Sequence, residues 1–354
     1  MRNIALLCGG KSPEHEISVR SAKNILGAIN RQKFQVQLIG VDRQGQWRLL
    51  EEAQLTEEVP TRGIPLAVIP GRNPGQIIRL DNYQPIEQPE AIFLIMHGPH
   101  GEDGTIQGLL RILDLPFVGP DVLASAAAMD KDLAKRVLRE AGLKVARGKV
   151  FQTHEKDAIE YAELSSQLGT TLFVKPANMG SSVGVHKVTN AKELTAAISD
   201  AFLYDTKILI EEMINGRELE CAVLGNALPK TTSVGEVITT EEYSYEAKYI
   251  SQTTAQIQIP AKVSEKELEE LKNVAIKAYQ ALCCEGLSRV DMFLTKDGAI
   301  YVNEINTLPG FTSISMYPKL WGAAGLKYPN LIEELLQLAI DRHQAQQALK
   351  TNWK

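Results

Sequence analysis

Apolar positions in the first third of the chain follow strand and helix patterns in turn. An apolar run at 3–8 precedes an amphipathic pattern from about 18 to 29 and a second apolar run at 35–42, which together predict a β-α-β start. A further run at 91–96 ends abruptly in His97-Gly98, as a buried parallel strand does where it delivers residues to a ligand crevice. The pattern predicts an α/β domain with a binding site at the carboxyl ends of its strands.

The patterns that follow indicate a second domain. A helical pattern spans about 129–141, and short strands around 149–151 and 171–174 lead into a segment rich in glycine and serine. Residues 264–267 form a capping box that predicts a long amphipathic helix. The polar, proline-bearing stretch 72–90 is predicted to be a surface connection.

Composition narrows the class of protein. The chain has 354 residues, which predicts two or three domains, and its 44% hydrophobic and 23% charged residues are typical of a folded protein. The net charge of -5 argues against a nucleic-acid partner. Its four cysteines match neither a disulfide framework nor a zinc site and favour a reducing cytosol. No apolar run is long enough to span a bilayer, so no membrane partner is expected.

A predicted hairpin carries the clearest chemical pattern. Two apolar runs flank Asp297-Gly298, a hairpin-turn dipeptide. Because side chains two apart on a strand share a face, Arg289 lies beside Asp291 on the first strand and Glu304 beside Asn306 on the second. Such oxygens suit Mg²⁺ bridging to substrate phosphates. The spacing alone also fits a solvated hairpin face with a surface ion pair.

A glycine-rich loop follows a lysine that ends a predicted strand. Gly180 and Gly184 permit close backbone approach, so that N–H groups and the hydroxyls of Ser181 and Ser182 could surround an anion near Lys175. An ordinary glycine-rich turn has the same composition. The loop is therefore a candidate phosphate site that depends on its neighbours.

Two other segments bear on nucleotide binding. Glu211, Glu212 and the later Glu218 could hydrogen-bond an adenine amino group and a ribose, although such glutamates are often plain surface residues. The segment Gly10-Lys11-Ser12 has the ending of a Walker A loop, but Ala5 occupies the position of the required first glycine. We interpret it as a tight turn from a strand into a helix.

Taken together, the motifs resemble the D-alanine:D-alanine ligases of the ATP-grasp superfamily over nearly the whole chain. The motifs that carry the resemblance are Gly9-Gly10, Glu14 to Ser18, His97-Gly98, Gly101 to Gly104, Met129 to Lys131, Val174 to Pro176, Gly180 to Gly184, Tyr245 to Tyr249, Arg289 to Asp291, Asn303 to Thr312 and Ser313 to Pro318.

The resemblance implies an ATP-grasp fold in an α/β protein that is α+β overall. It implies an N-terminal parallel-sheet domain at 1–123, a central small domain at 124–214 and a C-terminal domain at 215–354, with ATP clamped between the last two. The implied reaction joins two D-alanines through an acyl phosphate and releases ADP and phosphate for peptidoglycan precursor synthesis. A cytoplasmic homodimer is implied as well.

The resemblance also implies roles for residues around the nucleotide. Lys131 and Lys175 would contact the ATP phosphates beside the loop residues Gly180, Ser181 and Ser182. The remaining nucleotide contacts would come from Glu211, Glu212, Ile214, Glu218 and Lys248. Two Mg²⁺ ions, with Mn²⁺ as an alternative metal, would be held by Asp291, Glu304 and Asn306.

For the amino-acid substrates, the resemblance implies that Glu14 holds the ammonium group of the first D-alanine. His97 would lie near that site, and Ser181 with Tyr249 would form a hydrogen-bonded group beside it. The carboxylate of the second D-alanine would be held by the Ser315 hydroxyl and the backbone N–H of Met316, and Lys248 would be a further substrate-binding residue.

Arg289 and the backbone N–H of Gly310 would stabilise the charge that develops during the reaction. Arg289→Ala is therefore expected to nearly abolish turnover while sparing the fold. The polar stretch from about 236 to 254 resembles the family's lid, which would exclude water from the acyl phosphate.

Three alternatives stay open. A D-alanine:D-lactate ligase shares the fold but uses another nucleophile, and Tyr249 favours the dipeptide-forming enzyme. Another ATP-grasp carboxylate-amine ligase is disfavoured by the Glu14 motif. A nucleotide-binding module without chemistry is disfavoured by the complete set of Lys175, Arg289, Asp291, Glu304 and Asn306.

Overall fold

The N-terminal sheet has the predicted parallel centre. The computed structural model describes residues 1–71, 76–239 and 255–350. Six strands lie in the order β5-β4-β3-β2-β1-β6, and β1 pairs parallel to both β2 and β6. The strands are β1 Arg2–Gly9, β2 Phe34–Val41, β3 Trp47–Leu50, β4 Ile64–Val68, β5 Ile77–Arg79 and β6 Ala91–Leu94. Helices α1 (His15–Ala28) and α2 (Thr105–Ile112) complete this part of the chain.

The antiparallel side of this sheet corrects one prediction. Strands β3, β4 and β5 extend the sheet antiparallel from β2. The stretch 72–90 was predicted to be a surface connection, and this was wrong for Ile77–Arg79, where Ile77 and Ile78 are buried. Although its flanks are polar, the short segment that contains Ile77 and Ile78 pairs with β4 and so covers part of the core.

The middle of the chain forms a four-stranded antiparallel sheet in the order β7-β10-β8-β9. Its strands are β7 Gly148–Gln152, β8 Leu172–Pro176, β9 His186–Val188 and β10 Lys207–Glu212. The helices before and within this region are α3 Val122–Met129, α4 Lys131–Glu140, α5 Tyr161–Leu168 and α6 Ala191–Ala201, and a 3₁₀ helix spans Thr153–Ala158. Another 3₁₀ helix, Glu52–Gln54, belongs to the N-terminal part. The predicted helix at about 129–141 is confirmed as α4.

The C-terminal sheet contains the predicted hairpin. Five strands lie in the antiparallel order β13-β12-β11-β14-β15. They are β11 Gly216–Gly225, β12 Lys230–Thr239, β13 Ala255–Gln258, β14 Gly286–Thr295 and β15 Ile300–Asn306. The helices are α7 Glu265–Ala281, α8 Met316–Ala323 and α9 Tyr328–Gln347. The capping box that was predicted before α7 is present, since the Ser264 hydroxyl accepts from the Glu267 N–H.

Three hydrophobic cores hold these sheets together. The largest joins the N-terminal sheet to α8 and α9, which come from the end of the chain. A second packs α3 and α4 against the C-terminal sheet and α7, and a third lies under the central sheet. The division at 1–123, 124–214 and 215–354 stays a prediction. The packing shows that α4 shares a core with the C-terminal sheet, although it precedes the central sheet in sequence.

Candidate active site

Two glycines make room for the carboxylate of Glu14, which is buried just before α1. Gly98 has a φ of +72°, and a Cβ there would lie 2.6 Å from Glu14 Oε2. Gly180 approaches from the glycine-rich loop, where a Cβ would lie 3.0 Å from the same oxygen. The Ser181 hydroxyl donates a hydrogen bond to Glu14 Oε1. The loop of the central part of the chain therefore contacts the N-terminal part directly.

The glycine-rich loop has an unusual backbone. Ser181 and Ser182 adopt φ values of 52° and 59°, in the left-handed region that non-glycine residues seldom occupy. Such strain is concentrated at ligand sites in proteins. The loop is thus more specific in shape than an ordinary glycine-rich turn.

His97 follows β6 and links three segments. Its Nε2 lies 3.4 Å from the Ser21 hydroxyl of α1, and that hydroxyl accepts a hydrogen bond of 3.1 Å from the Phe311 N–H. Burial lowers the pKa of His97 to about 4, so the imidazole is neutral at physiological pH. Ser21 therefore ties the loop before α8 to the first helix, and the neutral His97 lies beside it without adding charge.

The hairpin of β14 and β15 has the predicted geometry. Asp291 pairs with Glu304 and Arg289 with Asn306 across the two strands. Arg289 donates two hydrogen bonds to Asp291, of 2.7 Å from Nε and 2.6 Å from Nη2. Its Nε also lies 2.9 Å from a carboxylate oxygen of Glu220, which neighbours it on β11. The predicted arrangement on one face is confirmed, but a second buried carboxylate joins it.

Lys131 connects the hairpin to the glycine-rich loop. Its Nζ donates a hydrogen bond of 2.5 Å to the Met179 carbonyl and lies 3.7 Å from Glu304 Oε2. Its backbone N–H donates to the Ala177 carbonyl at 3.0 Å. The first residue of α4 thus bridges the central and C-terminal sheets.

Glu102 is a site residue that the sequence interpretation missed. Its carboxylate accepts a hydrogen bond of 2.7 Å from the Gly98 N–H. Burial raises the pKa of Glu102 well above its usual range, and the negative charges of Glu14 and Glu304 add to that effect. Carboxylates are therefore crowded here, and a bound cation would relieve the crowding.

One cavity brings many of the predicted residues together. Those that line it are Glu14, His97, Lys131, Gly180, Ser181, Arg289, Glu304, Asn306 and Gly310, and Glu102 joins them. Asp291 lies behind Arg289 and does not line the cavity. Ser315 immediately precedes α8 and lies close to Gly310, where a Cβ would lie 2.8 Å from the Ser315 hydroxyl oxygen. Met316, the first residue of α8, is buried.

The candidate metal ligands lie close together without forming a preformed cage. In the three described stretches, no group of at least three His, Cys, Asp or Glu side chains is arranged to hold a metal ion. The candidate set itself contains only two carboxylates, those of Asp291 and Glu304, and both oxygens of Asp291 accept hydrogen bonds from Arg289. The donors nevertheless fit Mg²⁺, because Glu304 and the amide of Asn306 supply hard oxygens in an acid-rich cavity and Asp291 pairs with Glu304 beside it.

A second polar group lies on the central sheet. The strand register places Lys175 of β8 and Glu211 of β10 on the same face. Lys175 Nζ lies 2.5 Å from one Glu211 oxygen, and Lys135 Nζ of α4 lies 2.5 Å from the other. Burial alone would raise the pKa of Glu211, but Lys175 and then Lys135 outweigh it and lower the pKa to about 2. Glu211 is therefore a charged, buried carboxylate.

The remaining predicted residues lie outside that polar group. Glu212 pairs with Arg147 at 2.6 Å, and Ile214 is half-buried between β10 and β11. Glu218 lies on β11 opposite Phe293. Lys248 and Tyr249, and most of the predicted lid, lie outside the described residues.

Comparisons with known proteins identify the family. The profile of the D-ala D-ala ligase N-terminus matches residues 3–120, and that of the D-ala D-ala ligase C-terminus matches residues 137–337. A D-alanine–D-alanine ligase of Oceanobacillus iheyensis is 50% identical over 99% of this chain and 98% of its own. D-alanine–D-alanine ligase A of Salmonella typhimurium is 49% identical over 98% of each chain.

Solved structures agree with the sequence comparisons. The D-alanine-D-alanine ligase from Coxiella burnetii superposes with a TM-score of 0.84 at 38% identity, over 98% of this chain and 97% of its own. The VanG D-Ala:D-Ser ligase from Enterococcus faecalis gives 0.86 at 36% identity, over 96% and 99%. Within the described residues, no helix has the length and apolarity to cross a membrane. The three sheets around one cavity have the ATP-grasp fold, and the chain belongs to the D-alanine–D-alanine ligase family.

Proposed function

We propose that this chain uses ATP to join two D-alanines into D-alanyl-D-alanine, a peptidoglycan precursor, through a D-alanyl phosphate. The observation that carries the proposal is the shared cavity, in which Glu14 and Ser181 face the Arg289 and Glu304 hairpin across Lys131. The cavity thereby combines an acid for an ammonium group, a loop for phosphate and basic groups that offset developing charge.

The first D-alanine would bind at the N-terminal side of the cavity. The buried Glu14 carboxylate, oriented by the Ser181 hydroxyl, would pair with its ammonium group. His97 is neutral and would leave that charge balance unchanged. The amino acid would then present its carboxylate towards Arg289 and Lys131.

ATP would lie between the central and C-terminal sheets, which Lys131 already bridges. Lys131, Lys175, Gly180, Ser181 and Ser182 would contact its phosphates, and Glu211, Glu212, Ile214, Glu218 and Lys248 the rest of the nucleotide. Asp291, Glu304 and Asn306 would hold two Mg²⁺ ions, or Mn²⁺, which neutralise phosphate charge when bound. The three-domain division, a cytoplasmic location and a homodimer belong to the same proposal.

In the first step, the D-alanine carboxylate attacks the γ-phosphate and displaces ADP. Both reactants are anionic, so Lys131 and Lys175 lower their repulsion. In the second step, the ammonium group of the other D-alanine loses a proton, the resulting amine attacks the acyl carbon, and the amide forms as phosphate leaves and a second proton is released. Arg289 and the Gly310 N–H would stabilise the oxyanion, while the Ser315 hydroxyl and the Met316 N–H would receive the second carboxylate. Tyr249 would form a hydrogen-bonded group with Ser181 beside the first D-alanine, and Lys248 would also contact substrate.

The test measures ADP and phosphate release with D-alanine, L-alanine, D-serine and D-lactate, and identifies each product by mass. We expect D-alanyl-D-alanine from D-alanine alone and no product from L-alanine. In mixtures of D-alanine with D-lactate at several pH values, the dipeptide should exceed the ester. A main product that contains lactate or serine would refute the assigned second substrate, and ATP use without any condensed product would refute the ligase activity.

A further inference from the structure

A buried lysine outside the cavity faces the proposed nucleotide site. Lys135 lies one helical turn after Lys131 on α4 and is only 4% exposed. Its ammonium group meets one oxygen of Glu211, while Lys175 meets the other, each at 2.5 Å. The Glu211 carboxylate therefore forms ion pairs with two lysines, of which only Lys175 has a proposed contact with ATP.

The ion pair of Lys135 with Glu211 joins two separate cores. Ala134 and Leu138 of α4 pack in the core of the C-terminal sheet, whereas Ile208 and Ile210 of β10 pack in that of the central sheet. These are the two sheets between which ATP is proposed to lie. The ion pair therefore connects the two sheets at Glu211, which is itself a proposed nucleotide contact.

The surroundings of Glu211 are built for this carboxylate. Gly148 is its partner on β7, and a Cβ at that position would lie 2.8 Å from Glu211 Cγ. Glu211 itself is 3% exposed. A charge so far from water is strongly unfavourable unless it keeps a cation.

This arrangement creates a conflict when ATP binds. Lys175 is proposed to contact the phosphates, which would compete with Glu211 for its ammonium group. Without a second cation, loss of Lys175 to the phosphates would leave a buried carboxylate uncompensated, and Glu211 would retain Lys175. Burial and then the positive charge of Lys175 lower the pKa of Lys135 to about 8, while Glu211 opposes that shift, so the carboxylate favours the charged form of Lys135.

We propose that Lys135 is a positioning residue for ATP, which neutralises Glu211 and so allows Lys175 to leave that carboxylate for the phosphates. The inference rests on the proposed role of Lys175. It predicts a defect that depends on phosphate groups and not on adenine or on D-alanine.

The first experiment compares Lys135→Met with Arg136→Met, a matched control on the same helix whose side chain is 61% exposed. Calorimetry measures the affinities of ATP, ADP and adenosine for the full chain. Lys135→Met should weaken ATP and ADP by about tenfold or more, since tenfold corresponds to about 1.4 kcal/mol of binding. Adenosine affinity and the KM for D-alanine should not change. An equal loss for adenosine would overturn the proposal.

The second experiment tests whether Lys135 acts through Glu211. In Glu211→Gln, no buried charge retains Lys175, so adding Lys135→Met should not lower the ratio of ATP to adenosine affinity any further. A further loss in the double variant would show that Lys135 contacts the nucleotide itself and would overturn the proposal. Because a further loss would still refute the proposal, it stays falsifiable even if the single Lys135 variant does not fold.

The two proposals fail in different ways. If the parent chain binds ATP but forms no dipeptide, the proposed function fails while the affinity ratios still test Lys135. If the parent forms the dipeptide and the ratios of the variants match that of the parent, only the role of Lys135 fails.

Discussion

Arg289→Ala tests both the chemistry and the stability of the site. Arg289 donates to Asp291 and lies 2.9 Å from Glu220, and the side chains of the three residues are 9%, 2% and 3% exposed. The sequence predicted a variant that loses turnover and keeps its fold. The structure indicates that the fold is not spared, because the substitution removes the guanidinium from two buried carboxylates. Breaking such an interaction typically costs about 3–5 kcal/mol of unfolding free energy.

The matched control is Arg217→Ala on the same sheet. Arg217 also donates two hydrogen bonds to a carboxylate, that of Glu236, but its side chain is 38% exposed. An exposed pair of this kind contributes about 1 kcal/mol or less. Urea unfolding at neutral pH should therefore separate the two variants clearly.

Turnover provides the second measurement. On folded protein, loss of a group that stabilises the developing charge should lower the rate by about 10²–10³-fold, and Arg217→Ala should keep the parental rate. The reasoning is refuted if Arg289→Ala unfolds at the same urea concentration as Arg217→Ala. It is also refuted if Arg289→Ala turns over at a near-parental rate.

Two further predictions concern the N-terminal side of the cavity. Burial holds the pKa of His97 at about 4 against an ordinary 6.5, so the unfolded chain binds the extra proton as the pH falls between these values. The parent should thus lose about 2 kcal/mol of unfolding free energy from this group between about pH 6.5 and 4.5, and His97→Gln should lack that part of the loss in unfolding titrations. Gly98→Ala places a Cβ 2.6 Å from Glu14 Oε2, whereas Gly45→Ala has a similar positive φ and no atom within 4 Å. Both variants should lose about 1–2 kcal/mol of unfolding free energy, because alanine is unfavourable at a positive φ. Only Gly98→Ala should raise the KM for D-alanine, and equal KM values for the two variants would contradict the position of Glu14.

The hairpin could be predicted because a local rule determines it. Alternation along two short strands places Arg289 with Asp291 and Glu304 with Asn306 on one face, and the Asp297-Gly298 turn sets their pairing. The parallel centre of the first sheet followed from its long apolar runs. The strand at Ile77–Arg79 was missed because only a short apolar pair marks it within a polar stretch.

The contacts between distant segments could not be predicted in the same way. Glu220 faces Arg289 only because β11 pairs with β14, and Lys135 meets Glu211 only because α4 packs beside the central sheet. One local signal was available for Lys135, since residues four apart on a helix share a face and Lys131 was already a candidate. Glu102 lay within a recognised motif, but its burial beside Glu14 depends on the fold.

The charges of the site suggest how its ligands depend on one another. Glu14, Glu102 and Glu304 share one cavity, and their mutual repulsion helps to raise the pKa of Glu102. A triphosphate alone would add negative charge to this group, and Lys131 is already engaged with Glu304 and Arg289 with Asp291 and Glu220. A divalent cation that enters with the nucleotide reverses that balance, because it attracts Glu304 and the phosphates together. ATP should therefore bind this cavity much more tightly with Mg²⁺ than without it, whereas adenosine, which lacks phosphates, should bind equally well in both conditions.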